Sequence, residues 1–319
     1  MTHTSPTNQP QENALDAINK RTGRNMVQAV ATGALLVAMV VGSLVFEKQI
    51  FLALVIVFVA IALWELRVDF AVIDIRIPIV ALWIMSTATM LATFYLPGVS
   101  HTVVAAIGCL LTAAVVALIS TIVRSNHQGV DKAVAKKRVH PHSQVSAREP
   151  KTMTHVGASL LAVFYVTVLA SFIVLPLTRD HPVAFEFMII FLPSLGDIGG
   201  LIFGAAFGTH KLSPRISPKK SVEGLLGSIL FAVVGSLAIG FFTYSRSDFV
   251  MHLPALVILG VCVAIVGLFG DLCASMLKRD MGLKDMGHIL AGHGGVLDRA
   301  DSILMCAPVI CMLVMAFGL

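Results

Sequence analysis

The chain has 319 residues, 57% of them hydrophobic and 13% charged, with a mean hydropathy of +0.88. That balance excludes a water-soluble globular domain, a disordered chain and a fibrous repeat. At about 20 apolar residues per membrane-crossing helix, the length admits roughly eight to ten crossings. The net charge of +5 reads as cytoplasmic loops facing anionic lipid rather than as a nucleic-acid surface.

Residues 1–25 are polar, rich in Thr, Asn, Gln and Pro, and predict a disordered cytoplasmic tail. Apolar blocks then follow over 27–46, 50–64, 77–96, 102–123 and 154–177, and again over 183–207, 225–244, 253–272 and 303–317. The expected fold is an all-α polytopic integral membrane protein with about nine transmembrane helices and a cytoplasmic N-terminus, in which 66–76 lies at the membrane interface. Under this assignment 20 of the 23 Lys and Arg fall in cytoplasmic segments, and only Lys48, Arg179 and Arg246 fall outside. A missed or invented helix would scramble that asymmetry downstream. No repeat of 20–50 residues is visible, which argues against a solenoid or an inverted-repeat transporter.

The basic stretch 124–152 reads as a cytoplasmic linker dividing the chain. Before it, 26–123 forms membrane scaffold helices with almost no polar residues in their spans. After it, 153–319 forms a C-terminal membrane domain, the expected seat of the chemistry, whose helices contain Glu186, Asp197, Asp271 and many glycines. The five cysteines (Cys109, Cys262, Cys273, Cys306 and Cys311) lie in apolar stretches without Cys-x-x-Cys spacing. They read as packing residues rather than as disulfides or a zinc site.

Acidic residues at membrane depth are expensive unless paired, cation-bound or facing water. Asp197 precedes a ridge of Gly200, Gly204 and Gly208, spaced to let a ligand or a neighbouring backbone approach. Asp271 is followed by Ser275 and Lys278, which puts an anion, a hydroxyl and a cation on one helix face. Lys278, Arg279, Lys284 and Asp285 come next, then Gly292-His293-Gly294-Gly295, then Asp298, Arg299 and Asp301. Hard carboxylates suit Mg²⁺, basic groups suit phosphate oxygens, and glycines let backbone amides reach an anion. Ahead of another helix, Ser217-Pro-Lys219-Lys220-Ser221-Val-Glu223-Gly224 sets two lysines beside a helix N-terminus, with Ser221 as its cap.

These residues resemble the phosphatidate cytidylyltransferase (CDP-diacylglycerol synthase) family. Ser275, Lys278-Arg279, Lys284-Asp285, His293-Gly294-Gly295, Asp298-Arg299 and Asp301 keep every spacing of the family's long C-terminal signature over some 27 residues. The Ser217 to Gly224 stretch resembles a second family motif, with Ser221 and Val222 in place of Thr-Trp, and Ala291 stands where the signature has Pro.

The resemblance implies transfer of CMP from CTP to phosphatidate at the cytoplasmic face of the plasma membrane. It implies Lys219, Lys220, Lys278, Arg279 and His293 as catalytic groups, and Ser217, Ser275, Lys284, Gly294, Gly295 and Arg299 as substrate contacts. Asp271 and Asp298 lead the metal site, joined by Asp197, Asp285 and Asp301, for Mg²⁺ with or without a second cation. The expected partners are CTP, phosphatidate and membrane lipid, with a homodimer as one oligomeric option and no nucleic acid. Two alternatives stay open from the residues: a CTP-dependent enzyme acting on archaeol phosphate or a polyprenol, and a cation-coupled transporter using Asp197 and Asp271.

Overall fold

The computed structural model describes residues 26–122, 152–213, 217–283, 286–287 and 295–319, of which 26–30, 152, 218 and 219 are described by backbone alone. The expected tail, nearly all of the basic linker, and Lys284, Asp285, His293 and Gly294 lie outside the described residues, as does the side chain of Lys219.

Among the described residues, uninterrupted apolar runs give four helices before the linker: α1 (Met26–Phe46), α2 (Lys48–Val72), α3 (Ile79–Tyr95) and α4 (His101–Ile122). After it, α5 (Thr152–Ala162) runs through a π-helical turn (Val163–Val168) into α6 (Leu169–Val174) and a closing 3-10 turn (Leu175–Thr178). Then come α7 (Pro182–Phe207), an antiparallel hairpin of β1 (Lys211–Ser213) and β2 (Ser217–Ser221), α8 (Val222–Thr243), α9 (Arg246–Asp280) and α10 (Leu297–Phe317). Among the described residues seven rods are long and apolar enough to cross a membrane: α2, α4, the composite Met153–Thr178, α7, α8, α9 and α10. Ala31–Phe46 and Ile79–Tyr95 are shorter apolar helices. The chain is thus an all-α polytopic membrane protein with, among the described residues, one small hairpin.

Three helices outrun their hydropathy. Residues 66–72 of the segment expected at the interface continue α2, which runs to Val72 and carries Glu65 and Asp69, 2% and 0% exposed. The first-half helices therefore do bury charged groups, contrary to the sequence reading. Helix α9 spans 35 residues, about 50 Å at 1.5 Å per residue and well beyond the ~30 Å hydrocarbon core. It begins where the Ser245 hydroxyl accepts the Asp248 N–H, and it ends on Lys278 and Arg279 just before Gly282 at φ +70°. Helix α10 starts at Leu297, so Asp298, Arg299 and Asp301 belong to its first turns.

Contacts at the helix ends show how the rods alternate. At one end, Glu65 near the close of α2 meets the start of α10, the Arg76 N–H donates to His155 Nδ1 near the start of α5, and Lys220 of β2 meets Asp271 of α9. At the other end, His101 Nδ1 lies 2.7 Å from the Thr93 carbonyl, and the His181 and Tyr244 rings lie 5.9 Å apart. Between them, hydroxyl pairs join neighbouring helices: Ser86 with Thr167 at 2.7 Å, Thr89 with Thr112 at 3.0 Å, and Ser120 with Ser159 at 2.8 Å. Such pairs hold helices together where lipid supplies no hydrophobic drive.

Helices α7 and α8 touch backbone to backbone. A Cβ at Gly227 would lie 2.5 Å from both the Gly199 carbonyl oxygen and Phe203 Cβ, and a Cβ at Gly224 would lie 3.0 Å from the Gly200 carbonyl oxygen. Gly227→Val should therefore splay the pair and destabilise the protein by about 1–3 kcal/mol. Gly157→Ala in α5, where nothing lies within 4 Å, should melt like wild type. Thermal unfolding of both variants in detergent tests this, and an unchanged melting temperature for Gly227→Val would show that the seam is not close-packed.

Candidate functional site

The hairpin brings a lysine to an aspartate. Lys220 Nζ on β2 sits 2.7 Å from Asp271 Oδ2 on α9, with both side chains about 30% exposed. Two contacts hold the hairpin against α8. The Ser221 hydroxyl accepts the Gly224 N–H at 3.1 Å, as its capping pattern predicts. The Glu223 carboxylate accepts the Thr209 hydroxyl at 2.7 Å and the Thr209 and His210 amides, and lies 2.7 Å from His210 Nδ1. Thr209 and His210, just ahead of the hairpin, are thereby tied to the first turn of α8.

A second pair joins α9 to α10. Lys278 Nζ lies 2.8 Å from Asp298 Oδ1, and here the side chains are only 14% and 8% exposed. The other oxygen of Asp298 accepts the Met286 N–H at 2.8 Å. One turn on, buried Asp301 accepts the Ser302 N–H at 2.7 Å, and the Ser302 hydroxyl lies 3.5 Å from Asp197 Oδ2 on α7. Asp197 stands within electrostatic range of Lys220, Asp271 and Arg299, and Asp301 within range of Asp271, Lys278 and Asp197.

The fold thus gathers Asp197, Lys220, Asp271, Lys278, Asp298 and Asp301 from four elements far apart in sequence. Ser275 is half-buried one turn past Asp271, Ser217 is half-buried at the start of β2, and Arg279 and Arg299 are exposed. Gly295 is buried beside the start of α10.

The donors for Mg²⁺ are of the right kind, hard carboxylate oxygens at Asp197, Asp271, Asp298 and Asp301. Among the described residues no three Asp, Glu, His or Cys groups converge into a ready-made cage, and Asp271 and Asp298 are each engaged by a lysine. Mg²⁺ needs no such cage. It binds through one or two carboxylates and fills its shell with water and substrate phosphates, so these residues fit it.

Two residues beside the site escape a sequence reading. Glu65 accepts the Val296 and Leu297 amides at 3.0 Å each. The available signal was Trp64-Glu65-Leu66 with Asp69 one turn on, an acidic pair at i,i+4 among apolar residues. Tyr165 lies on the π-helical turn, and its hydroxyl is buried without a hydrogen-bond partner. The charges of Asp301, Asp298 and Asp271 all bear on it. Nothing in Val163-Phe-Tyr-Val-Thr-Val168 announces a π turn, although such turns recur at functional sites.

Curated relatives similar to the chain include the following three. A phosphatidate cytidylyltransferase of Mycobacterium leprae (strain TN) is 29% identical over 291 residues, covering 91% of this chain and 87% of that protein. One of Mycobacterium bovis is 27% identical over 287 residues, covering 90% and 87%. One of Staphylococcus epidermidis is 40% identical over 128 residues, 40% of this chain and 46% of that protein. The sequence profile of the cytidylyltransferase family matches residues 27–317, from the second residue of α1 to the last residue of α10. With all six gathered charged groups inside that span, the chain belongs to the cytidylyltransferase family.

Proposed function

We propose that the chain is a phosphatidate cytidylyltransferase, which transfers CMP from CTP to phosphatidate and releases pyrophosphate. The observation that carries this reading is the pair of lysine–aspartate bridges, Lys220 with Asp271 and Lys278 with Asp298, at one end of a membrane bundle of this family. The names of the curated relatives favour phosphatidate as acceptor over the other lipids and over transport.

A phosphate oxygen of phosphatidate attacks the α-phosphorus of CTP. A new P–O bond forms, the bond from the α-phosphorus to the bridging oxygen breaks, and pyrophosphate leaves with that electron pair. The attacking group is already ionised at neutral pH, so no base is required. The barrier lies in bringing two polyanions together and stabilising charge on the phosphorus and the leaving group. Lys220 meets that need by exchanging its carboxylate partner for a phosphate oxygen, and Lys219, Lys278 and Arg279 add positive charge beside it. Ser217, Ser275, Lys284 and Arg299 add contacts, and His293, Gly294 and Gly295 shape the phosphate turn. Mg²⁺ supplies further positive charge when bound, with Asp271 and Asp298 as its main holders and Asp197, Asp285 and Asp301 around them.

The same reading sets nine crossings, a cytoplasmic N-terminus and a site on the cytoplasmic side of the plasma membrane. It divides the chain into a tail at 1–25, scaffold helices over 26–123, a linker over 124–152 and a catalytic domain over 153–319. Support comes from the lysine and arginine asymmetry and from the end contacts, which join the 2–3, 4–5, 6–7 and 8–9 connections at one side.

Asp271→Asn and Asp298→Asn keep the side-chain shape and remove a unit charge. Each should lower turnover of CTP into lipid-extractable product by about 10²–10³-fold, the scale of a lost charge-stabilising group, while the protein stays monodisperse in detergent. Full activity in well-folded Asn variants would sink the metal-site assignment. Lys220→Ala should raise KM and lower kcat for the same reaction, whereas Lys136→Ala in the linker should do neither. Equal small effects at both lysines would leave Lys220 as a mere membrane anchor. In a cysteine-free background, cysteines placed at Gly98 and Asp248 should label from outside the cell and one at Val145 only after permeabilisation; the reverse pattern overturns the orientation.

A further inference from the structure

Helix α10 begins without a cap of its own. Its N-cap residue is Val296, which has no side-chain acceptor to offer the first amides. The acceptor comes instead from Glu65 on α2, whose two carboxylate oxygens take the Val296 and Leu297 N–H groups at 3.0 Å each across 231 and 232 residues of chain. A carboxylate over the positive end of a helix is favourable, and this one is 2% exposed. Gly287 and Gly295 stand against it. A Cβ at Gly295 would lie 2.9 Å from Glu65 Oε2, and a Cβ at Gly287, where φ is +74°, would collide with the Glu65 carboxyl group.

The clamped backbone adjoins the site. Asp298 follows Leu297 directly and receives the N–H of Met286, the neighbour of Gly287, while pairing with Lys278. Glu65 therefore meets the chain beside Gly287 and again at Val296 and Leu297, while Asp298 accepts the amide of Met286 next to the first of these.

We propose that Glu65 is a positioning residue of the reaction, fixing the start of α10 and with it Asp298 from the opposite half of the chain. This rests on the cytidylyltransferase reading for its kinetic consequence, and on geometry alone for the clamp. The first-half helices are then part of the reactive apparatus. A displaced Asp298 would leave substrate binding by the remaining cations largely intact and impair the transfer step, since only the latter depends on aligned charge.

The test compares Glu65→Gln, Glu65→Asp and Gly287→Ala with wild type and with Glu47→Gln at the far end of α2. Gln presents an NH₂ to one of the two amides, Asp retracts the carboxylate by one methylene, and Gly287→Ala disturbs the same contact without altering α2. In monodisperse protein, Glu65→Gln and Gly287→Ala should each lower kcat at least tenfold with KM for CTP changed less than threefold. Glu65→Asp should keep more activity than Glu65→Gln, and Glu47→Gln should match wild type. Hydrogen–deuterium exchange should rise at the Val296 and Leu297 amides in Glu65→Gln and Gly287→Ala and stay unchanged in Glu47→Gln. Wild-type kcat per folded molecule in Glu65→Gln, or losses that only track unfolded protein, would overturn the positioning role. Unchanged exchange at Val296 and Leu297 would overturn the clamp. A wild-type protein that converts no CTP while those amides still loosen would refute the proposed reaction and leave the clamp standing.

Discussion

Two ion pairs of unequal depth organise the site end of this protein. An isolated carboxylate in a low-dielectric setting is costly, and a paired one becomes costly again once its partner is removed. Asp298 and Lys278 are almost fully enclosed, whereas Asp271 and Lys220 are about 30% exposed. The outer lysine can therefore trade its partner for an arriving phosphate at small cost, while the inner pair holds α9 and α10 in register. Much of the surrounding fold serves these bridges. The hairpin exists to reach Asp271, Glu223 ties its approach to α8, and the extra turns of α9 carry Lys278 to the level of α10.

The two halves of the chain share the burden of burying polar groups. In the middle of the bundle the work is done by hydroxyls, Ser86 with Thr167 and Ser120 with Ser159, each linking a first-half helix to the α5–α6 rod. Near the site it is done by a carboxylate over two amides. A hydroxyl pair aligns helices cheaply because each hydroxyl can both donate and accept. A carboxylate fixes a backbone more stringently because it can only accept.

What could be read from the sequence follows from what is local. Apolar length announced the helices, and the density of Asp, Lys, Arg and Gly over 271–301 and 217–224 announced the site, since both signals sit within a few dozen consecutive residues. The Ser221 cap was legible for the same reason. The role of Glu65 was not, because the amides it serves lie at the far end of the chain. Hydropathy also misplaced the ends of α2, α9 and α10, for a helix continues through Asp69, Lys278 or Asp298 wherever packing and ion pairs compensate the charge. The strands of the hairpin, three and five residues long, are too short to display a period of two.

The contact between α7 and α8 bears on how this protein can vary over generations. In most helix pairs a residue that grows on one side can be accommodated by one that shrinks on the other, so substitutions wander in compensating couples. Here Gly199 and Gly227 face each other's backbone, and Gly224 faces that of Gly200, so the opposing position is already at the smallest residue available. No second change can restore the fit after the first. Drift along this seam should therefore halt at single sites rather than proceed by paired exchange, leaving the outward faces of the same two helices free to diverge.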